Sequence, residues 1–231
     1  MRPALALLAA LLAATPAGAA PRPVVVELFT SQACSSCPPA DALLRRLAAA
    51  DPGLLALDLH VTYWNGAAYR DPYALAAATA RQNWYAGLRG AREVYTPEAV
   101  VDGHTRLVGS DAPALRAAIA RARGQRGIAV AVAATPRRVT VRLPAGAGAG
   151  QVVLFGYDPA HTTHVGGGEN AGATLTEIDV VRSITPLGRW HGTPRALSLR
   201  RPAGARFAVL VQRDDGTVLG VGRQATPPEA R

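Results

Sequence analysis

Val24-Val25-Val26-Glu27-Leu28-Phe29-Thr30-Ser31-Gln32-Ala33-Cys34-Ser35-Ser36-Cys37-Pro38-Pro39-Ala40-Asp41 is the stretch on which the fold turns. Its first seven residues are mostly β-branched or apolar and read as a buried strand. Pro38-Pro39 then opens a helix, because proline is tolerated in the first turn, where its missing N–H has no partner to lose. Ala40, Leu43, Leu44, Leu47 and Ala48 keep the i, i+3, i+4, i+7 spacing of one buried face. Asp41 lies near the positive helix start and Arg45-Arg46 nearer its end, as the helix dipole favours. Asp51-Pro52-Gly53 stops the helix. Cys34 therefore falls at a helix N-terminus, where unpaired N–H groups and the positive dipole end stabilise a thiolate.

Outward from this stretch, Leu54–Val61 reads as a second apolar strand, and Asp71-Pro72 begins a helix running through Ala74–Tyr85. Asp102-Gly103 between two β-rich runs signals a hairpin. Asp111-Ala112-Pro113 starts a third helix, with Leu115, Ala118, Ile119 and Ala122 on one side. The order β-α-β-α-β-β-α, with C-x-x-C between a buried strand and a helix, predicts an α/β thioredoxin-like fold over residues 21–125. Gly124 to Gly127 reads as a boundary. Beyond it come short strands at Ile128–Ala133, Arg138–Leu143, Gln151–Tyr157, Val180–Ser183, Ala196–Arg200, Phe207–Gln212 and Thr217–Val221. Their spacing predicts a small antiparallel, sandwich-like β domain over residues 126–223, followed by a disordered tail at 224–231.

The first twenty residues carry a leader pattern: Arg2, an apolar run from Ala4 to Ala14, and the small residues Ala17-Gly18-Ala19-Ala20 at an A-x-A-like cleavage site. A signal peptide over residues 1–20 and a periplasmic or secreted chain are expected; the alternative is a retained N-terminal anchor. The run falls short of the ~18 apolar residues a membrane helix needs, and no later segment reaches that length. The formal charge is +9, and all 25 basic residues are arginine. The arginines are scattered and not interleaved with aromatics, which argues against a nucleic-acid platform.

Both cysteines sit in the one C-x-x-C. A bridge between them closes a four-residue loop and contributes only about 2 kcal/mol by loop entropy, against about 3 for a fifteen-residue loop. That points to chemistry more than to stapling, with Cys34 as nucleophile and Cys37 as resolving thiol. Thr96-Pro97 lies where thioredoxin folds place a cis-proline loop facing the cysteines, and the Thr96 backbone is then free to pair with an extended substrate. Its alternative is an ordinary trans proline at a strand start. Glu27, in an apolar strand, is a candidate proton shuttle to Cys37; an acid at the strand's solvent edge is the competing reading. The expected activity is thiol–disulfide exchange with protein thiols or disulfides of the cell envelope, without cofactor or metal. The alternatives are a copper chaperone using Cys34, Cys37 and either His60 or His104, and a non-catalytic interaction module. His161, His164 and Glu169 form a weaker metal candidate in a Gly-rich loop that otherwise reads as solvated. Arg182 and Arg189 either bind an anion or pair with local acids.

The stretch Val25 to Asp41 resembles the family called domain of unknown function 1223, which comprises uncharacterised secreted proteins. The segments Tyr95-Thr96-Pro97, Val100-Val101-Asp102-Gly103, Gly109-Ser110-Asp111, Gly168-Glu169-Asn170-Ala171-Gly172 and Val180-Val181-Arg182-Ser183 resemble it too. The resemblance implies a thioredoxin-like fold and export, and little about substrate. His60-Val61-Thr62-Tyr63-Trp64-Asn65 departs from a His-Val-Asp-Tyr-Trp-Asp stretch of the family, with Thr62 and Asn65 replacing the acids. His60 either faces the thiols or is a satisfied core histidine.

Overall fold

The computed structural model describes residues 20–91 and 93–225. The expected leader, apart from Ala20, lies outside the described residues, as does the expected tail beyond Ala225. In chain order the elements are β1 (Ala20–Pro21), β2 (Val24–Thr30), α1 (Pro38–Ala50), β3 (Leu54–His60), α2 (Ala76–Leu88), β4 (Glu98–Val101), β5 (Thr105–Val108) and α3 (Ala112–Ala122). They continue with β6 (Arg126–Ala129), β7 (Ala131–Ala134), β8 (Arg138–Leu143), β9 (Gly150–His164), β10 (Thr174–Trp190), β11 (Arg195–Arg200), β12 (Arg206–Gln212) and β13 (Val218–Arg223).

The expected α/β thioredoxin-like fold with an appended small β domain is not what forms. Ten strands make one mixed sheet in the order β1-β6-β13-β12-β9-β10-β3-β2-β4-β5, accompanied by three helices among the described residues. The remaining strands form a second sheet, β11-β8-β7. The cause is the hairpin of β9 and β10, fifteen and seventeen residues long. β10 lies parallel beside β3, with Val180 opposite Asp58, and so joins strands from both halves of the chain. All seven residues of β3 are buried, and β10 supplies the neighbour that its second edge requires. The boundary read at Gly124–Gly127 runs from just after α3 into the start of β6, and strands from both sides of it share the large sheet.

Alternation along β2 divides the interior. Val24, Val26 and Leu28 pack with Leu43 and Leu44 of α1 and Leu115 and Ile119 of α3. Val25 and Phe29 face the other way, into a cluster with Leu57, Leu59, Tyr85 and Phe155. A third cluster, around Trp190, Phe207, Val139 and Val141, fills the space between the two sheets. Each such fully buried large side chain contributes about 1.5–3 kcal/mol. The β4–β5 hairpin turns at Asp102-Gly103, both with positive φ, as the Asp-Gly signal implies. Asp111 caps α3 by accepting the Ala114 N–H at 3.0 Å. No helix among the described residues is long and apolar enough to cross a membrane.

Candidate functional site

β2 ends at Thr30, and residues 31–37 carry the chain over the sheet end into α1, whose N-cap is Cys37. Cys34 and Cys37 are joined in a disulfide with a Cα separation of 5.5 Å. Both cysteines have 0% exposure, while Ser35 and Ser36 are exposed. Thr96-Pro97 is cis and lies against the disulfide. Trp64 Nε1 donates to Thr96 Oγ1 at 2.7 Å, and the Thr96 hydroxyl donates to Cys34 Sγ at 3.4 Å. Ser36 Oγ sits 3.3 Å from the same sulfur.

Beneath the loop lies a buried acidic cluster. In register Thr30 faces His60, and Leu28 faces Asp58, which sets this cluster at the carboxyl ends of β2 and β3. Asp41 stands one turn into α1 from Cys37 and accepts the Thr30 hydroxyl at 2.8 Å. Asp71 accepts from the Gln32 and Tyr73 N–H groups, each at 2.9 Å, and contacts His60 Nδ1 at 2.7 Å. Glu177 of β10 accepts from Gln32 Nε2 at 2.7 Å, and the Tyr69 hydroxyl donates to Gln32 Oε1 at 2.7 Å. His60 Nε2 lies 3.7 Å from Asp58 and 3.9 Å from Glu177, too far for hydrogen bonds. His60 Nε2, Asp58 Oδ1 and Glu177 Oε1 are buried without partners.

Burial pushes the Asp41 carboxyl well above the usual carboxylate range, with the Asp58 charge adding to it. Burial also raises Asp58, against the opposing charge of His60. Glu177 is pushed up to about 7, again chiefly by burial. Burial would pull the His60 ring down, but the carboxylates of Asp58 and Asp71 hold it well above 6.5. Asp71 goes the other way: burial would raise it, and the bond from His60 with the Gln32 and Tyr73 N–H groups brings it below its ordinary value. A shallow cavity of about 190 Å³ between α1 and β10, lined in part by Asp41, Arg45 and Glu177, opens this cluster's edge to solvent.

Of the residues singled out in the sequence, Cys34, Cys37, Thr96 and Pro97 come together. Glu27 does not join them. It is fully buried on the opposite face of β2 from α1, where Arg81 grips its carboxylate through Nε and Nη2 and the Tyr85 hydroxyl donates to it at 2.6 Å. His60 lies under the thiol loop as part of the acidic cluster. His104 lies in the β4–β5 turn, bonded to Arg89 and Thr217. His161 pairs with Asp158 at 2.8 Å and stacks on Tyr73, so it does not meet Glu169, whose carboxylate goes to Ser35. Arg182 and Arg189 pair with Asp158 and Asp214. Among the described residues no three His, Cys, Asp or Glu side chains are grouped so as to hold a metal ion.

Sequence reasoning missed Asp58, Asp71 and Glu177, and it read Asp41 only through the helix dipole. The signal for Asp58 was present: a carboxylate and a histidine, two residues apart, share one face of an otherwise apolar strand. Asp71 and Glu177 arrive from distant segments and carry no local mark. The tip between β9 and β10, read as a solvated loop, lies on the C-x-x-C loop through Glu169 and Asn170.

No curated protein matches the chain. A crystal structure of a protein from Agrobacterium tumefaciens is similar to it, at 28% identity and a TM-score of 0.74, over 92% of this chain and 99% of that one. HBP35 of Porphyromonas gingivalis shares the fold alone, at 11% identity and a TM-score of 0.59, over 91% of this chain and 78% of that one. The family described as protein of unknown function (DUF1223) matches residues 25–212, and the chain belongs to that family.

Proposed function

We propose that the protein is an exported thiol–disulfide exchange protein that trades electrons with cysteines of other envelope proteins through Cys34 and Cys37. Export rests on the leader pattern of residues 1–20. The exchange reading rests on one observation above others: the Thr96 hydroxyl, itself held by Trp64, donates to Cys34 Sγ at the N-terminal end of α1. A thiolate at that sulfur keeps a charge-assisted bond from Thr96 and faces the helix dipole, two effects that stabilise it as nucleophile or leaving group. In the oxidising direction a partner thiolate attacks Cys34 Sγ, forming a mixed disulfide, and Cys37 leaves as a thiolate that takes a proton. The partner's second thiol then attacks its own mixed-disulfide sulfur and expels Cys34. Two electrons pass to the protein, and the partner gains a disulfide. The reducing direction reverses these steps.

The test is reduction of an insulin-type disulfide substrate by the reduced protein. Cys34→Ser is expected to fall to the uncatalysed rate, and Thr96→Val to slow exchange about tenfold, the loss of one charge-assisted hydrogen bond. Equal rates for the wild type and Cys34→Ser would sink the proposal.

A further inference from the structure

Exchange at Cys34 needs a partner sulfur in line with the disulfide, yet Cys34 is fully covered. Ser36 and Thr96 stand at the sulfur itself, and the tip of the β9–β10 hairpin, residues 165–173, holds the loop that carries it. The tip is a compact turn, closed by the Gly172 N–H to the Val165 carbonyl at 2.8 Å and the Val165 N–H to the Ala173 carbonyl at 2.9 Å. It rests directly on the backbone beside the site: a Cβ on Gly167 would stand 2.2 Å from the Ala68 carbonyl oxygen. Two side chains then tie it to the C-x-x-C loop. Asn170 Nδ2 donates to the carbonyls of Gln32 (3.0 Å) and Cys34 (2.8 Å). Glu169 Oε2 accepts from the Ser35 N–H (2.9 Å) and the Ser35 hydroxyl (2.7 Å).

These bonds use backbone groups that a docked peptide can also use. A peptide lying over the turns of residues 31–37 offers N–H donors to the carbonyls of Gln32 and Cys34 and a carbonyl to the N–H of Ser35. The amide of Asn170 stands in for the peptide's N–H groups and the Glu169 carboxylate for its carbonyl. The carboxylate also opposes reduction, because Glu169 holds the N–H donor beside Cys34 and places a negative charge next to the thiolate that forms there. From these contacts we infer that Glu169 and Asn170 are specificity-determining residues: the tip gates Cys34, and it yields to partners that carry their cysteine in an extended peptide and not to small thiols. The peptide half of this inference rests on the exchange reading; the gate itself does not.

The experiment measures the second-order rate at which the oxidised full-length protein is opened by dithiothreitol and by a reduced, unstructured cysteine peptide. The wild type is expected to react faster with the peptide. The double variant Glu169→Ala/Asn170→Ala is expected to react with dithiothreitol about tenfold faster than wild type, and with the peptide at a rate changed less than about threefold, which erases the preference. Glu169→Gln, which keeps the side chain's shape, moves in the same direction by a smaller factor. Unfolding midpoints and hydrogen exchange at the Ser35 amide accompany the rates; that amide is protected in the wild type and exposed in the double variant. Equal dithiothreitol rates in folded wild type and variant overturn the gate, as does an unprotected Ser35 amide in the wild type. A wild type that prefers dithiothreitol overturns the peptide specificity. If the protein reduces no protein disulfide while the variant still opens faster, the gate stands and the exchange function falls.

Discussion

Two buried polar regions lie on opposite faces of β2, and they are built on opposite principles. On the α2 face, Glu27, Arg81, Tyr85 and Gln212 form a closed set. Arg81 donates to Glu27, to Gln212 Oε1 at 2.9 Å and to the Tyr85 oxygen at 3.0 Å, while Gln212 Nε2 donates to Tyr85 and to the Gly216 carbonyl, each at 2.8 Å. One carboxylate meets one guanidinium, whose pKa that carboxylate raises further against the cost of burial. On the α1 face, under the disulfide, four carboxylates surround a single imidazole. Among the described residues no guanidinium bonds to any of the four, and three polar atoms lack partners. A balanced network fixes structure; an unbalanced one has to hold protons to exist at neutral pH. The second kind is typical of places where chemistry is performed, and here it lies beneath the only two thiols of the chain.

The contrast breaks first at Arg81. Arg81→Met strands the Glu27 carboxylate in the core, and a loss of about 3–5 kcal/mol is expected, read as a lower urea midpoint. Adding Glu27→Gln restores most of it. A single-variant loss below about 1 kcal/mol would mean that the balanced network is not what holds the α2 face. Glu177 sharpens the other side. Its carboxyl titrates near 7 in the folded protein against 4.5 ordinarily, so between these values the folded state binds more protons than the unfolded one. Stability is therefore full below about pH 4.5 and falls as pH rises to about 7, by roughly 3 kcal/mol. Asp179, pushed to about 6 by burial, adds a slope of the same sign from 3.8 upward. His60, held above 6.5, continues the fall above that pH. Within the acidic cluster Asp71 works oppositely, and the stability it contributes is lost as pH drops below 3.8. Glu177→Gln is expected to flatten melting temperature against pH between 4.5 and 7 and to stabilise the protein at pH 7.5. An unchanged slope would show that the acids of this face are not protonated as described.

These two faces were unequally legible. The strand, C-x-x-C and proline-opened helix are adjacent in sequence, and local signals placed Cys34, Cys37 and α1 correctly. The β4–β5 turn and the Asp111 cap were legible for the same reason. Glu27 was read toward the thiols, although strand parity argues otherwise: Val24, Val26 and Leu28 face α1, so the odd residues face α2. The fold itself was obscured by β9 and β10. Beyond Tyr157 the first of these turns polar, and the second contains Pro186 and Gly188 with register shifts at Val181/Ser183 and Pro186/Arg189. Such strands look like short fragments separated by loops, and the pairing of β10 with β3 is a contact more than a hundred residues apart in sequence. The acidic cluster inherits that difficulty, because Glu177 reaches it only through β10.

The smallest expected effect compares the two faces with the same chemical edit. Tyr85→Phe removes a hydroxyl that donates to Glu27 and accepts from Arg81 and Gln212 where exposure is 1%. Tyr69→Phe removes one that donates only to Gln32, from a half-buried ring at the rim of the acidic cluster. Three partners each lose a bond in the first case, at a side chain only 1% exposed, so a loss of about 2–3 kcal/mol is expected. In the second, solvent reaching the half-buried ring supplies a donor to Gln32 Oε1, and the loss is expected to stay near 0.5–1 kcal/mol. Paired urea titrations at one pH measure the difference. If Tyr69→Phe cost as much as Tyr85→Phe, the acidic face would be as closed and as fully determined as the Glu27 network. Its unpartnered atoms would then need an explanation other than proton storage under the disulfide.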